Sequence, residues 1–232
     1  MTGRISAFQS LGTVDGPAVR YVVFMQGCPL RCKCCHNPET WDMNGGTEYT
    51  PQEILDRVSR YRSYFGEKGG ITISGGEPLM QPEFVAEVFR LCKMTDITTC
   101  LDTSGCVLNE KVEQVLQFTD TVLLDFKMTN DADYRSFTGM SMMQAERFLQ
   151  YLNEKHIPTW LREVIVQGYN DTPESVTKLF EKREKYPCIE KIELLPFRKL
   201  CTSKYENLGI PFALADTPET PQAVIDALYP QE

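Results

Sequence analysis

The sequence predicts an α/β fold, an open six-stranded (β/α)6 partial TIM barrel built by a single domain spanning residues 1–232. Three observations carry this. Short apolar runs alternate about six times with amphipathic helical stretches, the pattern of a parallel sheet with right-handed crossovers. The chain has 232 residues, short of the ~250 that a closed eight-unit barrel typically needs. Polar and glycine-rich motifs follow directly on the apolar runs, where the rim of such a fold carries its site.

The elements follow in chain order. Residues 3–18 are polar and glycine-rich and are expected to lie over the site, with Asp15-Gly16-Pro17 as a turn. Tyr21 to Met25 is continuously apolar, as a buried strand requires. Thr50, Pro51 and Glu53 suit the N-cap, N1 and N3 positions of a helix whose apolar face is Ile54, Leu55, Val58 and Tyr61. Ile71 to Ile73 is the second strand and runs into Ser74-Gly75-Gly76-Glu77. Phe84, Val85, Val88, Phe89 and Cys92 mark the next helix. Thr98 to Leu101 is the third strand, ending at Asp102-Thr103, and Val112, Val115 and Leu116 form a short helix. Thr121 to Leu124 is the fourth strand, ending at Asp125-Phe126-Lys127. Residues 131–155 read as helical with a break near Gly139, and Trp160 to Val166 as the fifth strand. Thr172-Pro173 opens another helix, and Ile189 to Leu195 is the sixth strand, leading to Pro196-Phe197-Arg198. Thr220-Pro221 starts a last helix through Leu228.

Composition narrows the function classes. A net charge of −8 without a basic cluster disfavours nucleic acid and an anionic membrane surface. No apolar run approaches the ~20 residues of a membrane-spanning helix, and no apolar leader opens the chain. Nine cysteines, four of them crowded into one loop, do not suggest a disulfide framework, so a reducing cytoplasm is expected. Cys92, Cys100, Cys106, Cys188 and Cys201 are scattered and read as structural.

The crowded loop carries the chemistry. Cys28, Cys32 and Cys35 have the spacing C-x3-C-x2-C at the end of the first strand. Three thiolates there suit a [4Fe–4S] cube with one iron left open to a small molecule, since ordinary clusters take four cysteines. Zinc held by Cys32, Cys34, Cys35 and His36 is the alternative, and buried thiols without a ligand are a third reading.

Taken with Gly12-Thr13-Val14-Asp15-Gly16-Pro17, Cys35-His36-Asn37-Pro38 and Ser74-Gly75-Gly76-Glu77, this loop resembles the radical S-adenosylmethionine (SAM) superfamily. The narrower likeness is to the glycyl-radical-enzyme activating enzymes, of the short pyruvate formate-lyase type, because no ferredoxin-like insert fits between Trp41 and Thr50. It runs from about residue 3 to about residue 212. The resemblance implies a radical SAM type of partial barrel, a [4Fe–4S] cluster, SAM and, as in some members, a monovalent cation. It implies that Gly75, Gly76 and Glu77 hold the SAM amino group. Asp102, Thr103, Asp125 and Lys127 form a polar set at adjacent strand ends that suits a cation and the SAM carboxylate, with a rim salt bridge as the alternative, and the resemblance implies that SAM is bound around Asp125-Phe126-Lys127. Arg162 is a rim candidate, with pairing to Glu163 or Glu193 as its alternative. Two positions depart from the family: Cys34 stands where an aromatic residue usually lies near adenine, and Arg198 where the type has His. Cys34, His36 and Arg198 remain candidates for contact with SAM, and Asp15 for the target peptide. The implied partners are a glycyl radical enzyme as protein substrate and a flavodoxin or ferredoxin-like electron donor, with the chain itself a monomer. A radical SAM enzyme acting on a small molecule and a non-catalytic zinc protein are the competing readings.

Overall fold

The structure is a computed structural model that describes residues 1–230. The chain divides into two compact units, residues 1–29 with 40–124, and residues 30–39 with the chain from Asp125 onward.

In the first unit, β1 (Gly3–Gly12) lies antiparallel to both β2 (Arg20–Met25) and β3 (Thr47–Tyr49). From β2 the sheet continues in parallel through β4 (Gly70–Gly75), β5 (Thr98–Thr103) and β6 (Thr121–Asp125). Val22, Val23, Ile71, Ile73, Leu101, Val122 and Leu123 are buried along these strands, as parallel strands covered on both faces demand. The covering helices are α1 (Pro51–Ser59), α2 (Pro82–Lys93) and α3 (Glu110–Leu116). The capping box expected at the start of α1 is formed: Glu53 N donates to Thr50 Oγ1 at 3.3 Å and Thr50 N to Glu53 Oε2 at 2.7 Å. The six expected strands are all present, and among the described residues β1 and β3 join them as an antiparallel margin that the sequence reading did not include. β1 carries Arg4, Ser6, Gln9 and Ser10 among its apolar residues, so its strand character comes from pairing with distant segments, not from a local pattern.

Arg20 anchors the start of β2. It is fully buried and donates to Thr72 Oγ1 at 3.0 Å, Lys68 O at 3.1 Å, Thr98 Oγ1 at 2.7 Å and Ile71 O. Burial lowers its pKa, while Cys100, Asp120 and Cys92 oppose the shift. Thr72 Oγ1 in turn donates to Asp15 O at 2.7 Å, so the segment between β1 and β2 is tied to the sheet. In that segment Ala18 takes φ +55°, a left-handed conformation that costs a residue with a Cβ roughly 1 kcal/mol.

Glu77 joins the ends of β4 and β5. Its buried carboxylate accepts from Thr103 Oγ1 at 2.6 Å, Leu79 N at 3.2 Å, Ser104 N at 3.0 Å and Ser104 Oγ at 2.5 Å.

The second unit pairs β7 (Thr159–Ile165) in parallel with β8 (Ile189–Pro196). Around them lie α4 (Asp131–Thr138), α5 (Met142–Glu154), α6 (Pro173–Lys185), α7 (Thr202–Leu208) and α8 (Gln222–Leu228). The break expected near Gly139 is present, with that residue capping α4 at φ +85°. Glu163 on β7 is buried, and neither carboxylate oxygen has a partner at hydrogen-bonding distance. Burial pushes its pKa up to about 8, against the smaller opposing influence of Asn170 and Lys127.

Two expectations follow. Each Glu77 carboxylate oxygen faces one backbone N–H, from Leu79 or Ser104, which can only donate, so Glu77→Gln sets its amide N–H against a donor whichever way it turns. It should lower the unfolding free energy by about 3 kcal/mol in urea titrations. An unchanged midpoint would show that the carboxylate does not brace the two strand ends.

The folded Glu163 carboxyl titrates at about 8, above its unfolded value. Between those pKa values the folded state holds a proton that the unfolded state has released, so stability falls as pH rises toward 8. Glu163→Gln keeps the neutral form and removes this loss. Its stability advantage over the parent should grow by on the order of 2 kcal/mol from pH 6 to pH 8. A pH-independent difference would contradict the assignment.

Candidate active site

The first unit supplies Cys28 and the ends of β2, β4 and β5. Beyond Met25 the chain makes no further ladder; instead the turn after β4 docks on it. Gly76 N donates to Met25 O at 2.9 Å, and Glu77 N to Gly27 O at 2.8 Å. A Cβ on Gly75, which takes φ +106°, would stand 2.4 Å from Met25 N, and one on Gly76 2.4 Å from Gly27 O. The sequence argument gave these glycines to the approach of SAM. In the structure their missing side chains let the turn close on the backbone that leads into Cys28. The Glu77 carboxylate is spent on Thr103, Leu79 and Ser104, so any ligand contact at this motif falls to its main chain. Thr103 is buried with it, whereas Asp102 is half-buried and accepts from Ser74 Oγ at 2.6 Å. Asp15 is half-buried, held through its carbonyl by Thr72.

The second unit supplies Cys32, Cys34, Cys35 and His36. Arg31 N donates to Thr138 O and Lys33 N to Phe137 O, both at 2.9 Å, which seats this stretch on the end of α4. All nine cysteines are free thiols. Cys28, Cys32 and Cys35 are partly exposed; the other six, Cys34 among them, are buried. Burial pushes the Cys34 thiol up to about 12, with Lys127 opposing.

Asp125 and Lys127 form an ion pair. Burial disfavours both charges, but Lys127 and Arg162 hold the Asp125 carboxyl below its ordinary value. Asp125, Cys32 and Cys34 likewise outweigh burial and keep the Lys127 ammonium well above the ordinary lysine value. The unit therefore brings Lys127 close to the cysteine loop. Phe126 between them is a core residue, its ring edge-on to Tyr134 at 5.9 Å, and its N–H donates to Arg162 O at 2.7 Å. The Lys182 ammonium lies 4.6 Å from the ring's centre. Of the two partners considered for Arg162, Glu193 is the one met, at 3.5 Å. The Arg198 guanidinium turns to Thr220 O at 3.2 Å and Glu219 at 3.6 Å, while its carbonyl accepts from His36 Nε2 at 2.8 Å.

Sequence reasoning missed Tyr205 and Lys204. The Tyr205 hydroxyl donates to Cys35 O at 3.1 Å. Lys204 Nζ donates to Asn37 Oδ1 at 2.8 Å and Glu39 Oε1 at 2.5 Å. α7, which carries both, spans seven residues, too few for a periodic signal. Ser74 and Ser104 were legible only as neighbours of the motifs they serve.

By residue type and spacing the three accessible thiols, soft ligands, fit an iron–sulfur centre, while among the described residues no three His, Cys, Asp or Glu side chains are grouped to hold a single metal ion. Within the second unit the Asp125–Lys127 pair offers a fixed ammonium beside the cysteine stretch.

Comparison with known proteins agrees. Residues 22–180 match the model of the radical SAM superfamily. The chain is 43% identical over 215 residues to the pyruvate formate-lyase-activating enzyme of Clostridium pasteurianum, covering 92% of this chain and 90% of that protein. It is 41% identical to the pyruvate formate-lyase 1-activating enzyme of Escherichia coli K12, covering 91% and 87%. In fold it is similar to a radical SAM methyltransferase from Sphaerobacter thermophilus, with TM-score 0.64, 16% identity and coverage of 97% and 73%. A domain of pyruvate-formate lyase-activating enzyme from Bacteroides vulgatus gives TM-score 0.57 at 22% identity, covering 69% and 90%. The α/β partial barrel expected from the sequence is the fold of these neighbours. On the matched residues and the extent of identity, the chain belongs to the radical SAM superfamily, among the pyruvate formate-lyase-activating enzymes.

Proposed function

We propose that this chain activates a partner lyase of the pyruvate formate-lyase type by removing a hydrogen atom from a glycine Cα. The observation that carries the reading is the cysteine inventory: three of nine thiols are accessible, and they are those of C-x3-C-x2-C. Cys28, Cys32 and Cys35 would hold the [4Fe–4S] cluster. When bound and reduced, the cluster supplies the electron that cleaves SAM, and the adenosyl fragment takes the hydrogen.

The chain's own residues bind and position. The main chain of Gly75, Gly76 and Glu77 would meet the amino acid part of SAM. Lys127, charged and fixed by Asp125, offers a cation to its carboxylate. Asp102 and Thr103 would complete a cation site or a second set of contacts. Arg162, Arg198, His36, Phe126 and Cys34 belong to the nucleoside side of the reading. The buried Cys34 thiol substitutes apolar surface for the family's aromatic ring, and is not read as a metal ligand. Asp15 is assigned to the backbone of the target loop. Residues 1–232 are read as one catalytic domain, monomeric and cytoplasmic, reduced by a flavodoxin or ferredoxin-like donor. Among the described residues no helix is long and apolar enough to cross a membrane.

Two measurements test the proposal. Mixed anaerobically with SAM, a photoreductant and a pyruvate formate-lyase, the protein should raise a glycyl EPR doublet that grows in step with 5′-deoxyadenosine. No doublet, with 5′-deoxyadenosine formation driven by a small molecule instead, would overturn it. Cys28→Ala, Cys32→Ala and Cys35→Ala should each lose iron, sulfide and visible absorption after reconstitution, while Cys34→Ala keeps them. Loss in Cys34→Ala alone would overturn the ligand assignment.

A further inference from the structure

The residues from Arg198 to Tyr205 hold the far half of the cysteine loop residue by residue. The Arg198 carbonyl can only accept, so His36 Nε2 carries the proton of their 2.8 Å bond. Lys204 Nζ spans Asn37 and Glu39, at 2.8 Å and 2.5 Å. Tyr205 donates to the carbonyl of Cys35 itself at 3.1 Å. The Tyr205 ring is buried and lies 4.7 Å from that of Phe212 at 33°, so the hydroxyl is delivered from a fixed platform. The near half is tied by its backbone, through Arg31 N and Lys33 N on α4, with the Lys33 ammonium reaching Ser136 Oγ at 3.4 Å and the Tyr169 ring at 5.4 Å. The far half is tied at Cys35, His36, Asn37 and Glu39 by Tyr205, Lys204 and the Arg198 carbonyl.

We propose that Tyr205 is a positioning residue of the metal centre: its hydroxyl fixes the Cys35 peptide, and so sets both the grip on the cluster and the ease of its reduction. This rests on the reading of Cys35 as a cluster ligand. Groups one bond removed from a ligand orient it and tune the metal. Hydrogen bonds near the ligands and exclusion of solvent are among the levers on cluster potential. The Tyr205 O–H dipole draws electron density from the Cys35 carbonyl, favouring the reduced state. Lys204 secures the same segment two and four residues further on, at Asn37 and Glu39.

Tyr205→Phe is the test, because it removes one oxygen and leaves the ring on Phe212. The reconstituted variant should release iron to a chelator about tenfold faster than the parent. In an EPR-monitored redox titration its cluster should reduce at a lower potential. A purely structural role would leave the potential unmoved. Lys204→Met gives a second reading of the loop's grip, with faster iron release while the Cys35 hydrogen bond is kept. Parent-like release and potential in Tyr205→Phe, in a protein whose cluster is otherwise intact, would overturn this inference alone. A parent protein that takes up no iron and sulfide would overturn the ligand reading, and this inference with it.

Discussion

The docking of the β4 turn on the end of β2 is the contact on which the site in the first unit depends. Two backbone hydrogen bonds, from Gly76 N and Glu77 N, catch Met25 and Gly27 just before the first cysteine. They form only because neither Gly75 nor Gly76 has a Cβ to hold the strands apart. The side chain of Glu77 then reaches the other way, to Thr103 and Ser104, so one short turn registers three strand ends. A glycine pair followed by a carboxylate is thus a joint in the sheet before it is a surface for a ligand. The ligand contact proposed for its main chain would have to use atoms other than the Gly76 and Glu77 N–H groups.

The second unit meets the same requirement with different means. Its polar pair, Asp125 and Lys127, would be costly in so buried a place if either stood alone. Together, and with Arg162 near the one and two cysteines near the other, they remain charged. Arg162 is itself braced by Glu193 across the β7–β8 pair. The charge a zwitterionic ligand would meet is therefore already arranged, which spares reorganisation on binding.

Much of this was legible in the sequence, for identifiable reasons. The six apolar strands announced themselves because parallel strands are buried on both faces and admit few polar residues. Thr50-Pro51 and Gly139 punctuate their helices by local chemistry that needs no tertiary context. The cysteine spacing and the strand-end motifs carried the family. β1 escaped because half its side chains are polar and its partners lie elsewhere in the chain. The division of labour within the glycine motif escaped because spacing shows that a side chain is absent, not what occupies the room. Phe126 and the Arg198 guanidinium were named from their positions, and their orientation depends on Tyr134, Thr220 and Glu219, which no local pattern connects to them.

Arg20 has a mechanical consequence. Its acceptors are carbonyls and hydroxyls from β4, β5 and the turn before β4, and Thr72 passes the restraint on to Asp15. None of these acceptors is a carboxylate; Asp120 acts on the guanidinium only through space, so protonating it breaks none of these bonds. The segment bearing Asp15 is consequently no flap. Its backbone is tethered to the sheet at Asp15, and a polypeptide that docked there, as proposed, would meet an anchored main chain to which its own must adjust.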